Sequence, residues 1–98
     1  MSELLPTALV TGASRGIGRA TAKVLARKGY QIYLTYVSKA EEAAAVVDMI
    51  REAGGKAQAF QLDISQPKSI EEFFKQQIKD QVRLDILVNN AGITKDAL

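Results

Sequence analysis

The segment LVTGASRGIG, residues 9–18, runs from apolar residues into glycines at positions 12, 16 and 18, and its reading decides the fold. On its left, TALVTG at 7–12 has the length and apolar content of a short buried strand that stops at a glycine. On its right, Ile17, Ala20, Thr21, Val24 and Leu25 recur at a helical period, which predicts an amphipathic helix ending near Gly29. The segment is therefore a strand, a glycine turn and a helix. The glycines themselves leave two uses open: a turn that lets a ligand approach the backbone, or ordinary tight-turn chemistry.

The same alternation continues outward. QIYLTYV at 31–37 is rich in β-branched and aromatic residues and predicts a second strand. Ser38 and Glu41 have the spacing of a capping box, before a helix with Ala43, Val46, Val47 and Ile50 turned inward and Gly54 and Gly55 at its end. AQAFQLD, ending at Asp63, predicts a third strand. Pro67 suits a helix start, and Ile70, Phe73, Phe74 and Ile78 supply the next apolar stripe. LDILVNN at 84–90 is a fourth strand. Strands alternating with helices of this length predict right-handed crossovers and an α/β, doubly wound parallel sheet with helices on both faces. The pattern stops after the fourth strand and AGITKDAL, so residues 1–98 are expected to be the N-terminal β-α-β-α-β-α-β portion of a single larger domain.

Composition narrows the chemistry. A chain of 98 residues that is 47% hydrophobic and 24% charged has the balance of one soluble domain. No leader-like N-terminus and no apolar run of membrane length is present, so the expected location is cytoplasmic. Cysteine and histidine are absent, which removes thiolate nucleophiles, disulfides, the usual general base and the usual metal ligands; no metal site is expected. The first forty residues are basic, with Arg15, Arg19, Lys23, Arg27, Lys28 and Lys39 against Glu3. Most of these lie at helical spacing opposite the apolar stripe without interleaved aromatics, which favours a solvated helix face over a nucleic-acid surface.

In a parallel sheet the first strand-to-helix turn lies at the carboxyl edge, where a helix N-terminus offers unpaired N–H groups and positive dipole charge to a phosphate. The spacing here is Gly-x-x-x-Gly-x-Gly, not Gly-x-Gly-x-x-Gly. A P-loop register counted from Gly12 would put Ile17 where its second glycine belongs, which argues against a P-loop.

Taken together, TGASRGIG at 11–18 and NNAG at 89–92 resemble the short-chain dehydrogenase/reductase family, and the longer stretches LVTGASRGIGRA and DILVNNAGITKD look most like its 3-oxoacyl-acyl-carrier-protein reductases. The resemblance spans the whole chain and implies a Rossmann-like fold with a nicotinamide dinucleotide on the glycine turn. By that resemblance Gly12, Ser14, Arg15, Gly16, Ile17 and Gly18 would surround its adenosine side and pyrophosphate, with Gly18 also letting the helix pack closely on the sheet. Asp63 and Ile64 would contact the adenine, the carboxylate accepting the exocyclic amine, although Asp63 also suits a turn residue before a helix. Asn90, Ala91 and Gly92 would line the ribose near the nicotinamide, and Asn89 would bridge neighbouring strands.

Enzymes that prefer NAD usually place Asp or Glu at the end of the second strand to accept from the ribose 2′-hydroxyl. This chain has Tyr36 there. With no carboxylate to repel a 2′-phosphate, and with Arg15 and Lys39 nearby in the expected fold, NADP(H) is favoured. Val37 departs from related reductases, which often carry a hydroxyl or a basic group. Lys39 also reads as a solvated first-turn residue, and Tyr36 as a packing residue.

The family reduces ketones with a Tyr and a Lys four residues apart, a Ser and a further Asn. Tyr30, Tyr33 and Tyr36 are followed four positions on by Leu34, Val37 and Ala40, so no Tyr-x-x-x-Lys exists in these residues. No catalytic residue is carried over; the catalytic set is expected beyond Leu98, together with the contacts of a homotetramer and the loops that choose a carrier-protein-linked acyl chain or another ketone. The alternative from a different class is a dinucleotide-binding module without catalysis.

Overall fold

The computed structural model describes residues 3–13 and 16–90. Strands β1 (Pro6–Thr11), β2 (Gln31–Tyr36), β3 (Ala57–Gln61) and β4 (Arg83–Asn89) alternate with helices α1 (Gly16–Arg27), α2 (Ala40–Glu52) and α3 (Pro67–Phe73). The last helix runs on as a π-helical turn over Phe74–Ile78. The strands form one parallel sheet in the order β3-β2-β1-β4, the doubly wound arrangement expected from the alternation.

Successive strand residues point to opposite faces, and both faces are covered. Ala8, Val10, Ile32, Leu34 and Ala57 meet Ala22 of α1 and Ala43, Val46, Val47 and Ile50 of α2 on one face. Leu9 and Tyr33 meet Phe73, Ile78 and Val82 on the other. There Tyr33, Phe60 and Phe73 pack edge to face, with centroids 4.8 and 5.2 Å apart along the series. Leu9, Ile32 and Leu34 are fully buried, each worth about 1.5–3 kcal/mol of transfer free energy. These central strands fix the sheet edge on which the site is built.

Three local outcomes differ from the sequence expectation or refine it. The buried face of α1 is Gly18 and Ala22, with Thr21, Leu25 and Ala26 half-buried, whereas Ile17 and Val24 are 78% and 45% exposed. The true stripe lies one position round the helix because the sheet accepts α1 only at close range, where glycine and alanine fit and isoleucine does not. The Ser38–Glu41 capping box does not form. The N-cap is Lys39, whose carbonyl accepts from the Ala43 N–H, so Ser38 lies outside the helix and Glu41 and Glu42 enrich its positive first turn. The glycine stops hold: Gly29 and Gly54 have φ of +102° and +92°. Tyr30 and Gly55 donate back to Leu25 O and Ile50 O, closing Schellman-type ends.

In β4 the pairing with β1 slips between Thr7 and Ala8, opposite Leu84 and Ile86. The slip turns Leu84 toward α3 but Ile86 and Val88 toward α1. Leu87 is left 57% exposed.

Candidate functional site

The chain leaves β1 toward β2 and β3 on one side, and reaches β4 on the other. The carboxyl ends of β1 and β4 therefore flank the point where strand order reverses, the place where open α/β sheets bind ligands. The N-terminus of α1 points to the same place.

Three glycines build the turn in different ways. Gly12 and Gly16 both have φ of +67°, a conformation in which a side chain is strained. The Gly12 N–H donates to Thr35 O at 3.1 Å, fastening the turn to β2. Gly18 has ordinary helical geometry but no room: a Cβ there would lie 2.6 Å from Gly12 O, 2.7 Å from Asn90 Nδ2 and 3.0 Å from Ala13 Cα. The first turn of α1 is thus pressed against the loop it follows, and its N–H groups stay at the sheet edge.

The end of β4 is tied to that turn. Asn90 Nδ2 donates to Gly12 O at 3.0 Å, and the Asn90 N–H donates to Thr11 Oγ1 at 2.9 Å. The Thr11 hydroxyl donates to Asn89 Oδ1 at 3.1 Å, with Val88 O at 3.4 Å the weaker acceptor. Thr11 is 5% exposed, so these bonds are made away from water, where each is costly to lose. Asn89 bridges strands, as the resemblance implied. Asn90 stands at the same edge as Gly12 and Gly18, and its side-chain amide is engaged in holding the glycine turn.

On the outer side of the sheet, Asp63 follows β3. Ser65 N–H and Oγ both donate to Asp63 Oδ1, at 3.0 and 2.7 Å. These two bonds, the hydroxyl's first, hold the exposed carboxyl below its ordinary value of 3.8 and keep it ionised. Asp63 is therefore a turn-forming residue and also an exposed anionic acceptor. Ile64 is half-buried against the α3-side core, which fixes where its backbone runs. Tyr36 packs partly buried on the α1/α2 side, and Val37 is 53% exposed.

The structure thus brings Gly12, Gly16, Ile17, Gly18 and Asn90 to one edge around the α1 N-terminus, and sets Asp63 and Ile64 on the β3–α3 loop at the same carboxyl edge of the sheet, two strands from β1. Ser14, Arg15, Ala91 and Gly92 lie outside the described residues. Thr11 escaped the sequence reading as a site residue; the signal was a buried-strand threonine directly before the first glycine. Among the described residues, no group of His, Cys, Asp or Glu could hold a metal ion, and no helix is long and apolar enough to cross a membrane.

The family model described as short chain dehydrogenase matches residues 6–98. A 3-oxoacyl-[acyl-carrier-protein] reductase of Staphylococcus epidermidis is 44% identical over 92 residues, covering 94% of this chain and 38% of the relative. Among solved structures, a dehydrogenase/reductase from Sinorhizobium meliloti superposes with a TM-score of 0.83 at 49% identity, over 93% of this chain and 36% of that one. A metagenomic short-chain oxidoreductase in complex with NADP superposes with a TM-score of 0.83 at 41% identity, over 90% of this chain and 39% of that one. The chain spans well under half the length of the relatives it matches. Motif, topology and sequence likeness agree, and the chain belongs to the short-chain dehydrogenase family.

Proposed function

We propose that this chain is the NADPH-binding part of an oxidoreductase that transfers hydride to the β-keto group of a 3-oxoacyl thioester, as in fatty-acid elongation, and that residues 1–98 form the N-terminal part of its single Rossmann domain. The observation that carries the reading is the turn at the β1–β4 switch point: Gly18 packs on Gly12, Ala13 and Asn90 with no room for a Cβ, which holds the α1 N-terminus and the side-chain-free backbone of Gly12 and Gly16 together at the sheet edge. A helix N-terminus beside side-chain-free backbone suits a pyrophosphate.

In this reading the N–H groups of Gly16, Ile17 and Gly18 donate to phosphate oxygens, Asp63 and Ile64 meet the adenine, and the 90–92 segment borders the nicotinamide ribose. Similar proteins support the cofactor, since one solved neighbour is a complex with NADP and another with NADPH. The 2′-phosphate falls to Arg15, with Lys39 near; no carboxylate ends β2 to oppose it. When bound, the reduced nicotinamide supplies the hydride. The residues described here bind and orient it.

A substrate oxyanion needs a proton donor, and the Tyr-x-x-x-Lys pair that would provide one is not in this sequence. We assign it, with the tetramer contacts and acyl-chain loops, to the longer protein, and the 98-residue chain is inactive alone. The absent pair is also the specific support for the second reading, a module that binds dinucleotide without turnover. The two separate in a protein that joins this chain to a downstream Tyr-x-x-x-Lys. Oxidation of NADPH with an acetoacetyl thioester, abolished by Tyr→Phe, is expected; NADPH binding with no ketone reduced would refute the reductase assignment.

A further inference from the structure

We infer that Gln61 is a positioning residue for cofactor choice, acting by holding the β2–α2 loop against the adenosine ribose. The inference rests on the cofactor reading above.

Gln61 is the last residue of β3 and pairs with Tyr36, the last of β2. Its Nε2 donates to the Val37 carbonyl at 3.0 Å, and the next N–H, that of Leu62, donates to Tyr36 O at 2.9 Å. The end of β3 therefore grips two consecutive carbonyls where β2 passes into its loop. Beyond them, among the described residues, no side-chain hydrogen bond reaches Ser38 or Lys39. Lys39, the N-cap of α2, makes no side-chain capping bond and has φ −100° and ψ 62°, outside the usual extended cap geometry. Among the described residues, Gln61 provides the side-chain hydrogen bond that reaches 37–39.

NADPH and NADH differ only at the ribose 2′ position, and in the proposed site that position faces this loop. Loss of the Gln61 bond lets Val37, Ser38 and Lys39 sample other arrangements, so a 2′-phosphate must order them on binding. A 2′-hydroxyl asks less of the loop. Asp63, two residues on, would serve both cofactors alike. Gln61 is exposed, so its replacement leaves the core intact.

The test compares the wild-type chain with Gln61→Met, which keeps the side-chain length and removes the donor. Fluorescence titration with NADPH and NADH is paired with thermal melting and amide exchange at residues 38 and 39. The expected result is a rise of about fivefold in the NADPH Kd, the scale of one hydrogen bond, with NADH little changed, melting preserved and faster exchange at 38–39. Equal weakening of both cofactors, or no change in either, would overturn the inference. A wild-type chain that binds neither nucleotide would overturn the cofactor reading itself, and this inference with it.

Discussion

Replacing Gly18 by alanine isolates the physical core of the site. In an exposed helix this change would stabilise by about 1 kcal/mol, because alanine restricts the unfolded chain and favours helix. Here the new methyl would lie 2.6 Å from Gly12 O and 2.7 Å from Asn90 Nδ2, each well inside van der Waals contact, and two of its three neighbours are backbone atoms that cannot swing aside. Relieving these contacts requires α1 to move away from the turn and Asn90 to leave its 3.0 Å bond to Gly12 O. Overpacking costs about 1–3 kcal/mol and the lost bond about 1 kcal/mol, so after the helix gain the net loss is about 2 kcal/mol. For a domain of this size that lowers Tm by roughly 8 to 16 °C. Circular dichroism melts measure it directly. Gly16→Ala is the matched control: its φ of +67° strains any side chain, but the space around it is open, so the expected loss is smaller, about 1 kcal/mol. A Gly18→Ala chain that melts at or above wild type, or less destabilised than Gly16→Ala, would refute the close-packing argument.

Other perturbations probe the rest of the edge. Thr11→Val keeps the shape of a buried residue but removes the acceptor for Asn90 N–H and the donor to Asn89; a loss of about 2 kcal/mol in urea unfolding is expected, and a loss below about 0.5 kcal/mol would show the bonds to be idle. Asp63 has its folded pKa below the ordinary 3.8, so its contribution is present above that value and lost as pH falls through the lowered one. Ser65→Ala should bring the Asp63 titration, followed by carboxyl NMR, back up toward 3.8; an unmoved titration would contradict the assigned cause. Arg15→Ala should weaken NADPH far more than NADH, and equal losses would remove Arg15 from the 2′-phosphate. Leu87, 57% exposed on β4, should promote self-association of the chain, which Leu87→Lys should reduce in sedimentation velocity.

The sheet was legible because each strand is a short apolar run bounded by glycine or polar residues, and each helix carries a periodic stripe. The inward face of α1 was not. Residues 17, 20, 21, 24 and 25 form as good a 3.6-residue pattern as 18, 21, 22, 25 and 26, and hydrophobicity favours the first set because Ile17 and Val24 outweigh Gly18 and Ala22. Close approach selects the second, a consequence of packing that no single-helix pattern contains. The capping box failed for a related reason: its spacing was right, but the helix begins one residue after the register it requires. The glycine turn was legible as the junction of strand and helix, because Gly12 and Gly16 sit where the backbone takes positive φ. Its tie to Asn90 was not, because Thr11, Gly12 and Asn90 meet only when β1 and β4 pair. Gln61 likewise reaches Val37 only across the β2–β3 ladder.

Parallel fluorescence titrations of the 98-residue chain with NADPH and NADH at low salt test most directly whether its glycine turn receives NADPH. Saturable binding that favours NADPH, and that weakens in Gly18→Ala, is the predicted result. Equal or stronger binding of NADH would contradict the cofactor assignment, and binding indifferent to Gly18→Ala would contradict the site.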